Sequence, residues 1–293
     1  MGISRGGARL LLDEARVRPF HGRLLQLGRQ TLWLKPHDLD ELAALHGVTL
    51  RSDIPPENIR PAGLGPPYLD DGTFFSRLGF DSVESVDFSD FEGADHTYDL
   101  NLPVPSELRD RFDVIYDGGT IEHIFDIRAV LKNIFEMLVV GGRVIHATPS
   151  SNHVDHGFYM FSPTFFLDYY LTNGFTVYDI LLAEYDREHN TVPWSIHEYE
   201  PGCLDGHFAF GGFDRGKLLL IHAVAEKRAD STWHKIPQQR TYTNLWKEGA
   251  AASKEAVIAR PARPRMHEPP RSLLDRLLRR PAPMVVPNKI AEY

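Results

Sequence analysis

The block from Phe112 to Pro149 (FDVIYDGGTIEHIFDIRAVLKNIFEMLVVGGRVIHATP) leaves the chain little freedom of architecture. Phe112–Asp117 reads as a strand, with β-branched Val114 and Ile115 at its centre and Gly118-Gly119 closing it. From Ile121 to Leu138, Ile127, Val130, Leu131, Ile134, Phe135 and Leu138 recur at steps of three and four, the spacing of one helix face. Gly141-Gly142 ends that helix and Arg143–Ala147 starts another strand. Strand, helix and strand in such close succession predict neighbours in a mostly parallel sheet.

The alternation continues on either side. Residues 5–17 read as an amphipathic helix ended by Pro19, and Arg23–Leu34 as a buried strand that breaks at Gly28. Helices are expected at 71–80, 105–111 and 163–173, and strands at 82–87, 97–101, 175–182 and 217–225. These strands are too apolar for a sheet with one wet face, so helices must cover both sides. The expected fold is α/β, Rossmann-like and doubly wound. Ligands of such sheets bind outside the carboxyl ends of the strands. Residues 1–226 form the main domain. Within it, 37–67 reads as an irregular insertion because of Pro55, Pro56, Pro61, Pro66 and Pro67, and 183–216 as a long connection suited to a substrate lid.

Charge divides the chain at the same boundary. Residues 227–293 hold fourteen Lys and Arg against six Asp and Glu, a balance of +8 that leaves −16 on residues 1–226. So acidic a body argues against nucleic acid as the main ligand. The Pro- and Arg-rich tail, with a short amphipathic helix at 272–280, is suited to a protein or another anionic partner. No run of eighteen apolar residues occurs, and the first twenty positions carry Arg5, Arg9, Asp13, Glu14, Arg16 and Arg18 in place of an apolar signal core, so a cytoplasmic protein without a transmembrane segment is expected. The single cysteine, Cys203, excludes an intrachain disulfide and a cysteine-based zinc site.

The block 112–149 resembles the fourth strand, following helix and fifth strand of class I S-adenosylmethionine-dependent methyltransferases. The family's Glu-His pair after strand four matches Glu122-His123, and its Gly-Gly turn before strand five matches Gly141-Gly142. Asp87 and Asp99 fall at the acidic ends of the preceding strands, and the strands at 175–182 and 217–225 resemble the antiparallel hairpin that completes the family's sheet. The resemblance covers about residues 20–226 and implies seven strands, the last antiparallel. Asn152–Tyr170 is also similar to a bacterial subgroup of methyltransferase-like proteins, some linked to surface-glycan or secondary-metabolite genes. One departure is plain: where the family carries GxGxG after strand one, this chain has Leu27-Gly28-Arg29-Gln30-Thr31. Either S-adenosyl-L-methionine binds in an altered pose or it does not bind.

The resemblance implies a cofactor site of Gly28, Arg29, Asp87, Phe88, Asp99, Asp117, Gly118, Gly119 and His123. Asp87 would accept the ribose hydroxyls, Phe88 lie against the adenine and Asp99 meet its amino group, while Arg29 could contact the carboxylate. Each also has a structural reading: Asp87 as a strand-end cap, Asp99 as part of a turn before proline, Gly118-Gly119 as a tight turn, and Glu122 as the acid at a helix start. His153, Asp155 and His156 are the catalytic candidates, with a histidine as base and Asp155 orienting it. The same residues with His197 or His207 would offer metal donors, yet their spacing matches no compact metal motif and no metal set is assigned. The aromatic run 158–170 serves as core or pocket wall, and Trp194, His197, Tyr199 and His207 as parts of the lid. The expected function is methyl transfer to an oxygen or nitrogen of a small molecule or glycan precursor. An inactive methyltransferase-like scaffold and a metal-dependent enzyme stand as alternatives.

Overall fold

Caps in the sequence place the first helices. In the computed structural model, which describes residues 2–56, 68–188, 192–200, 216–248, 258–259 and 289–292, Ser4 accepts a hydrogen bond from Gly7 N at the start of α1 (Arg5–Val17). Pro36 occupies the first turn of α2 (Pro36–His46), and Asp70 accepts from Thr73 N at the start of α3 (Asp71–Leu78). The later helices are α4 (Ile127–Met137), α5 (Pro163–Thr172) and α6 (Arg240–Glu248).

Eleven strands are described: β1 (Gly2–Ile3), β2 (Arg23–Leu27), β3 (Thr31–Leu32), β4 (Ser82–Asp87), β5 (His96–Thr97), β6 (Phe112–Asp117), β7 (Leu138–Ser151), β8 (Thr176–Tyr185), β9 (Ser195–Glu198), β10 (Leu218–Glu226) and β11 (Lys289–Glu292). β1 and β3 pair in parallel as a small separate sheet. The other nine form one sheet in the order β11-β9-β8-β10-β7-β6-β2-β4-β5. From β5 to β7 every pairing is parallel; from β7 to β11 every pairing is antiparallel. The expected α/β architecture therefore stands, but the sheet is mixed and has nine described strands, not seven and mostly parallel. β8 runs to Tyr185, and β9 pairs back along it, so part of the segment read as a lid is sheet edge.

Helices cover both faces, as the apolar strands require. Leu24 and Leu25 on β2 show how: successive side chains point to opposite sides. Leu24 joins Val114 and Ile145 under α1, α2 and α3, whose Leu11, Leu12, Leu42, Phe74 and Phe75 are buried there. Leu25 joins Ile115 and Val144 under α4 and α5, with Val130, Ile134, Phe166 and Tyr170.

Parts of the segment read as a loose tail belong to this body. Ser231, Thr232 and Lys235 bond to Gly174 or Asn173, and β11 closes onto β9. The helix expected at 272–280 lies outside the described residues. Lys227 is buried, and its Nζ donates to Leu138 O (2.6 Å), Phe135 O (2.8 Å) and Asp110 Oδ1 (3.1 Å). Two of these acceptors are carbonyls at the end of α4, which lack intrahelical partners. Lys227→Ala is expected to cost about 3 kcal/mol in urea unfolding; a loss below ~1 kcal/mol would show that water replaces the amine.

Candidate active site

The carboxyl ends of β2, β4, β6 and β7 open into a cavity of about 650 Å³, within the range of small-molecule sites. Its position follows from the topology: strands on either side of β2 leave in different directions, and their connections part above it. Gly28, Arg29, Asp87, Gly118 and Gly119 line one side. His123, His153 and His156 line another, with Tyr185 and Trp194. The first residues of the chain form the facing wall, through Ile3, Ser4, Gly7, Leu10 and Leu11. No sequence pattern announced that wall, because α1 carries only an amphipathic signal.

Gly28 sits at φ +72°, in the left-handed region that favours glycine, and a Cβ there would lie 3.0 Å from Thr120 Oγ1 and 3.6 Å from Asp87 Oδ2. The strand end thus stays bare beside the Asp87 carboxylate. Arg29 does not fill the space. Its Nε donates to Asp71 Oδ2 (2.9 Å), and its Nη2 reaches both Asp71 and Asp70 (3.2 Å), so the guanidinium is drawn toward the start of α3. Its hydrogen bonds to Asp71 outweigh burial and hold it above its usual value. Gln30 is buried against Gly118 and donates to Gly28 O (3.2 Å), bracing the turn from within.

Four of the expected residues do not line the cavity. Phe88 is 75% exposed. Asp99 accepts from the backbone and side-chain amides of Asn101. Asp155 occupies a left-handed position at φ +67° on an exposed loop. Asp117 is fully buried beneath the floor: it accepts from His146 Nδ1 (2.7 Å), Thr120 N (3.0 Å) and Ile121 N (3.3 Å), and Tyr170 OH lies 2.6 Å from His146 Nε2. Gly118, Gly119 and Thr120 after it do reach the cavity.

Glu122 and His123 do not open α4. They form a separate 3₁₀ turn (Ile121–His123), and Asp126 caps α4 by accepting from Arg128 N and Ala129 N, both at 3.1 Å. Released from a capping role, Glu122 is fully buried, and neither carboxylate oxygen has a hydrogen bond. Burial, and then the nearby Asp117, push its carboxyl up to about 8. The loop after β7 is bolted to this turn: Phe158 N and Tyr159 N donate to Glu122 O at 2.8 and 3.2 Å. Gly157 makes the approach possible, since a Cβ there would lie 2.9 Å from Glu122 O and 3.0 Å from its Cγ.

This seat brings three histidines together. His156 Nε2 lies 3.4 Å and His123 Nε2 3.8 Å from Glu122 Oε1. The rings of His153 and His156 are 5.7 Å apart, and Tyr185 OH, not Asp155, lies within reach of His153 Nε2 at 3.2 Å. Burial lowers all three rings from their usual value, with His156 adding to the effect on His123 and on His153, which falls to about 4. The metal set raised from sequence is accordingly revised: Glu122 and His123, not Asp155, stand with His156. His197 lies on β9 beside Glu184 (3.5 Å), and His207 lies outside the described residues. His153 is expected to remain neutral until the pH nears 4 in a side-chain NMR titration. Its unfolded counterpart takes up a proton first as pH falls from about 6.5, so this residue removes stability over that window. A ring titrating near 6.5 in the folded protein would mean a wetter wall.

Among the described residues, no helix is long and apolar enough to cross a membrane. Comparison with protein families and with curated proteins finds no match. Among solved structures, the chain is similar to an S-adenosylmethionine-dependent methyltransferase from Mesorhizobium loti, at 13% identity over 76% of this chain and 99% of that one, with a TM-score of 0.36. It is also similar to the N-methyltransferase NodS from Bradyrhizobium japonicum, at 13% identity over 76% and 94% of the two chains, with a TM-score of 0.34. A third is phosphoethanolamine N-methyltransferase 2 from Haemonchus contortus in complex with S-adenosyl-L-methionine, at 12% identity over 75% and 52%, with a TM-score of 0.37. All three are methyltransferases, and the last holds the cofactor.

Proposed function

We propose that the cavity binds S-adenosyl-L-methionine and that the protein transfers its methyl group to an oxygen or nitrogen of a small molecule or glycan precursor. The observation that carries this reading is the bare turn at Gly28 facing the Asp87 carboxylate inside a cavity of about 650 Å³. When bound, the cofactor supplies an electrophilic methyl group and leaves as S-adenosylhomocysteine. Asp87, at the end of β4, would accept the ribose hydroxyls, and Gly28 and Gly119 would let the ligand lie against backbone. Gln30 lines the cavity and is buried against Gly118, where its side chain braces the loop by donating to Gly28 O. Arg29, engaged by Asp70 and Asp71, would keep that turn closed to the outside and leave the ligand's carboxylate to other groups.

His153 is the proton acceptor we assign among the residues flagged from sequence, with Tyr185 positioning it in place of Asp155. A ring with so low a proton affinity is a weak base, so positioning of the acceptor does more than proton removal. Calorimetric titration with S-adenosylhomocysteine tests the reading; absence of binding at millimolar ligand would defeat it.

A further inference from the structure

His123 and His156 on the cavity wall, and the buried Glu122 behind them, bring three metal-donor groups together, and the Glu122 oxygens and His156 Nε2 have no hydrogen bond. We propose that Glu122, His123 and His156 bind a divalent transition-metal cation, and that this cation receives an oxygen of the acceptor. The second part rests on the methyltransferase reading; the first does not.

The donor atoms already lie close together. All three fall within 4.8 Å of one another, and Glu122 Oε1 stands 3.4 Å from His156 Nε2 and 3.8 Å from His123 Nε2. Bonds of about 2.0–2.1 Å to a tetrahedral ion separate its donors by roughly 3.3–3.4 Å. One pair therefore matches as it stands, and His123, 46% exposed, is free to turn inward.

Burial supplies a second, independent reason. Glu122 is 0% exposed, and neither of its carboxylate oxygens nor His156 Nε2 has a hydrogen bond. Buried polar groups left in this way are rare in folded proteins and costly. One cation would satisfy all of them. The turn also spends effort on this arrangement: Gly157 is pressed against Glu122, and two backbone amides of the same loop hold the glutamate's carbonyl.

Two imidazoles and one carboxylate select an ion of the zinc, iron, manganese or cobalt kind over magnesium or calcium, which prefer oxygen alone. Three protein donors also leave coordination positions open. His123 and His156 both line the cavity, so those positions face it. The class of acceptor follows: a molecule with a hydroxyl, or two adjacent oxygens, able to bind the ion. Coordination would lower the pKa of such a hydroxyl toward neutrality, and its proton would pass to His153, the acceptor assigned above.

The test uses the full, untagged chain, stripped with a chelator and titrated with Co²⁺ while its visible absorption is followed, with Zn²⁺ as competitor. One equivalent should bind, and Glu122→Gln and His156→Gln should each weaken it at least tenfold while thermal unfolding stays cooperative. If Glu122→Gln fails to fold, His123→Gln and His156→Gln carry the same comparison from partly exposed positions. Equal Co²⁺ affinity in wild type and variants, or no stoichiometric binding, overturns the site. Binding of S-adenosylhomocysteine is measured in parallel. Co²⁺ bound without it supports the metal site and defeats the cofactor reading; the reverse overturns the metal site alone.

Discussion

Asp117→Ala should lower the free energy of unfolding by about 3–5 kcal/mol, the range found when one partner of a buried charged or polar pair is removed. Asp117, His146 and Tyr170 form a chain of hydrogen bonds with exposures of 0%, 0% and 1%. Removing the carboxylate takes the acceptor from His146 Nδ1 and from two backbone amides, those of Thr120 and Ile121. Asp117→Asn keeps an acceptor and should cost about 1–2 kcal/mol. Urea unfolding with an unchanged m-value checks both. A cost below ~1 kcal/mol for the alanine variant would mean that the network contributes shape without stability. Because the same aspartate fixes the turn that carries Glu122 and His123, the alanine variant should also loosen the cavity wall.

The second large effect concerns binding. Asp87→Ala should weaken S-adenosylhomocysteine by roughly 30-fold or more, since loss of hydrogen bonds to a charged acceptor costs about 2 kcal/mol. Asp87→Asn should fall between the two. The Asp87 carboxylate already accepts from Phe88 N at 2.6 Å, which fixes its direction at the strand end without occupying its other oxygen. Affinity unchanged within about threefold would place the ligand's sugar elsewhere and remove the main support for the proposed function.

How much of this could be read beforehand depended on the range of the interactions. Helices α1, α3 and α5 and strands β4 and β6 were legible because periodicity and caps are local: Ser4, Asp70 and the glycine after α3 act within one turn. β9 was not, since SIHE is four residues long and its pairing along β8 is fixed by a return of the chain. The same applies to β11. Its partner β9 lies far upstream, and nothing in Lys289–Glu292 itself names it. Gly28, Asp87, Gly118, His123, His153 and His156, expected from the resemblance and from their places at strand ends and loops, all line the cavity. Glu122 reads from sequence as the acid at a helix start, and the residue that shows otherwise is Asp126, the better-placed cap of the apolar face that follows. The N-terminal wall had no local mark at all, since its part in the cavity depends on how α1 packs against the sheet.

The two walls of the cavity differ in ancestry within the chain. On one wall, His123, His153 and His156, with Asp117, Glu122 and His146 buried behind them, all fall on one continuous stretch, β6, its crossover to β7 and the loop that follows. The facing wall comes from Ile3 to Leu11, far upstream in the chain. A stretch so self-contained can exchange its chemistry by local replacement, whereas the facing wall answers to distant parts of the molecule. Retuning the protein for a different molecule is therefore easiest on the histidine side, with the other left as found.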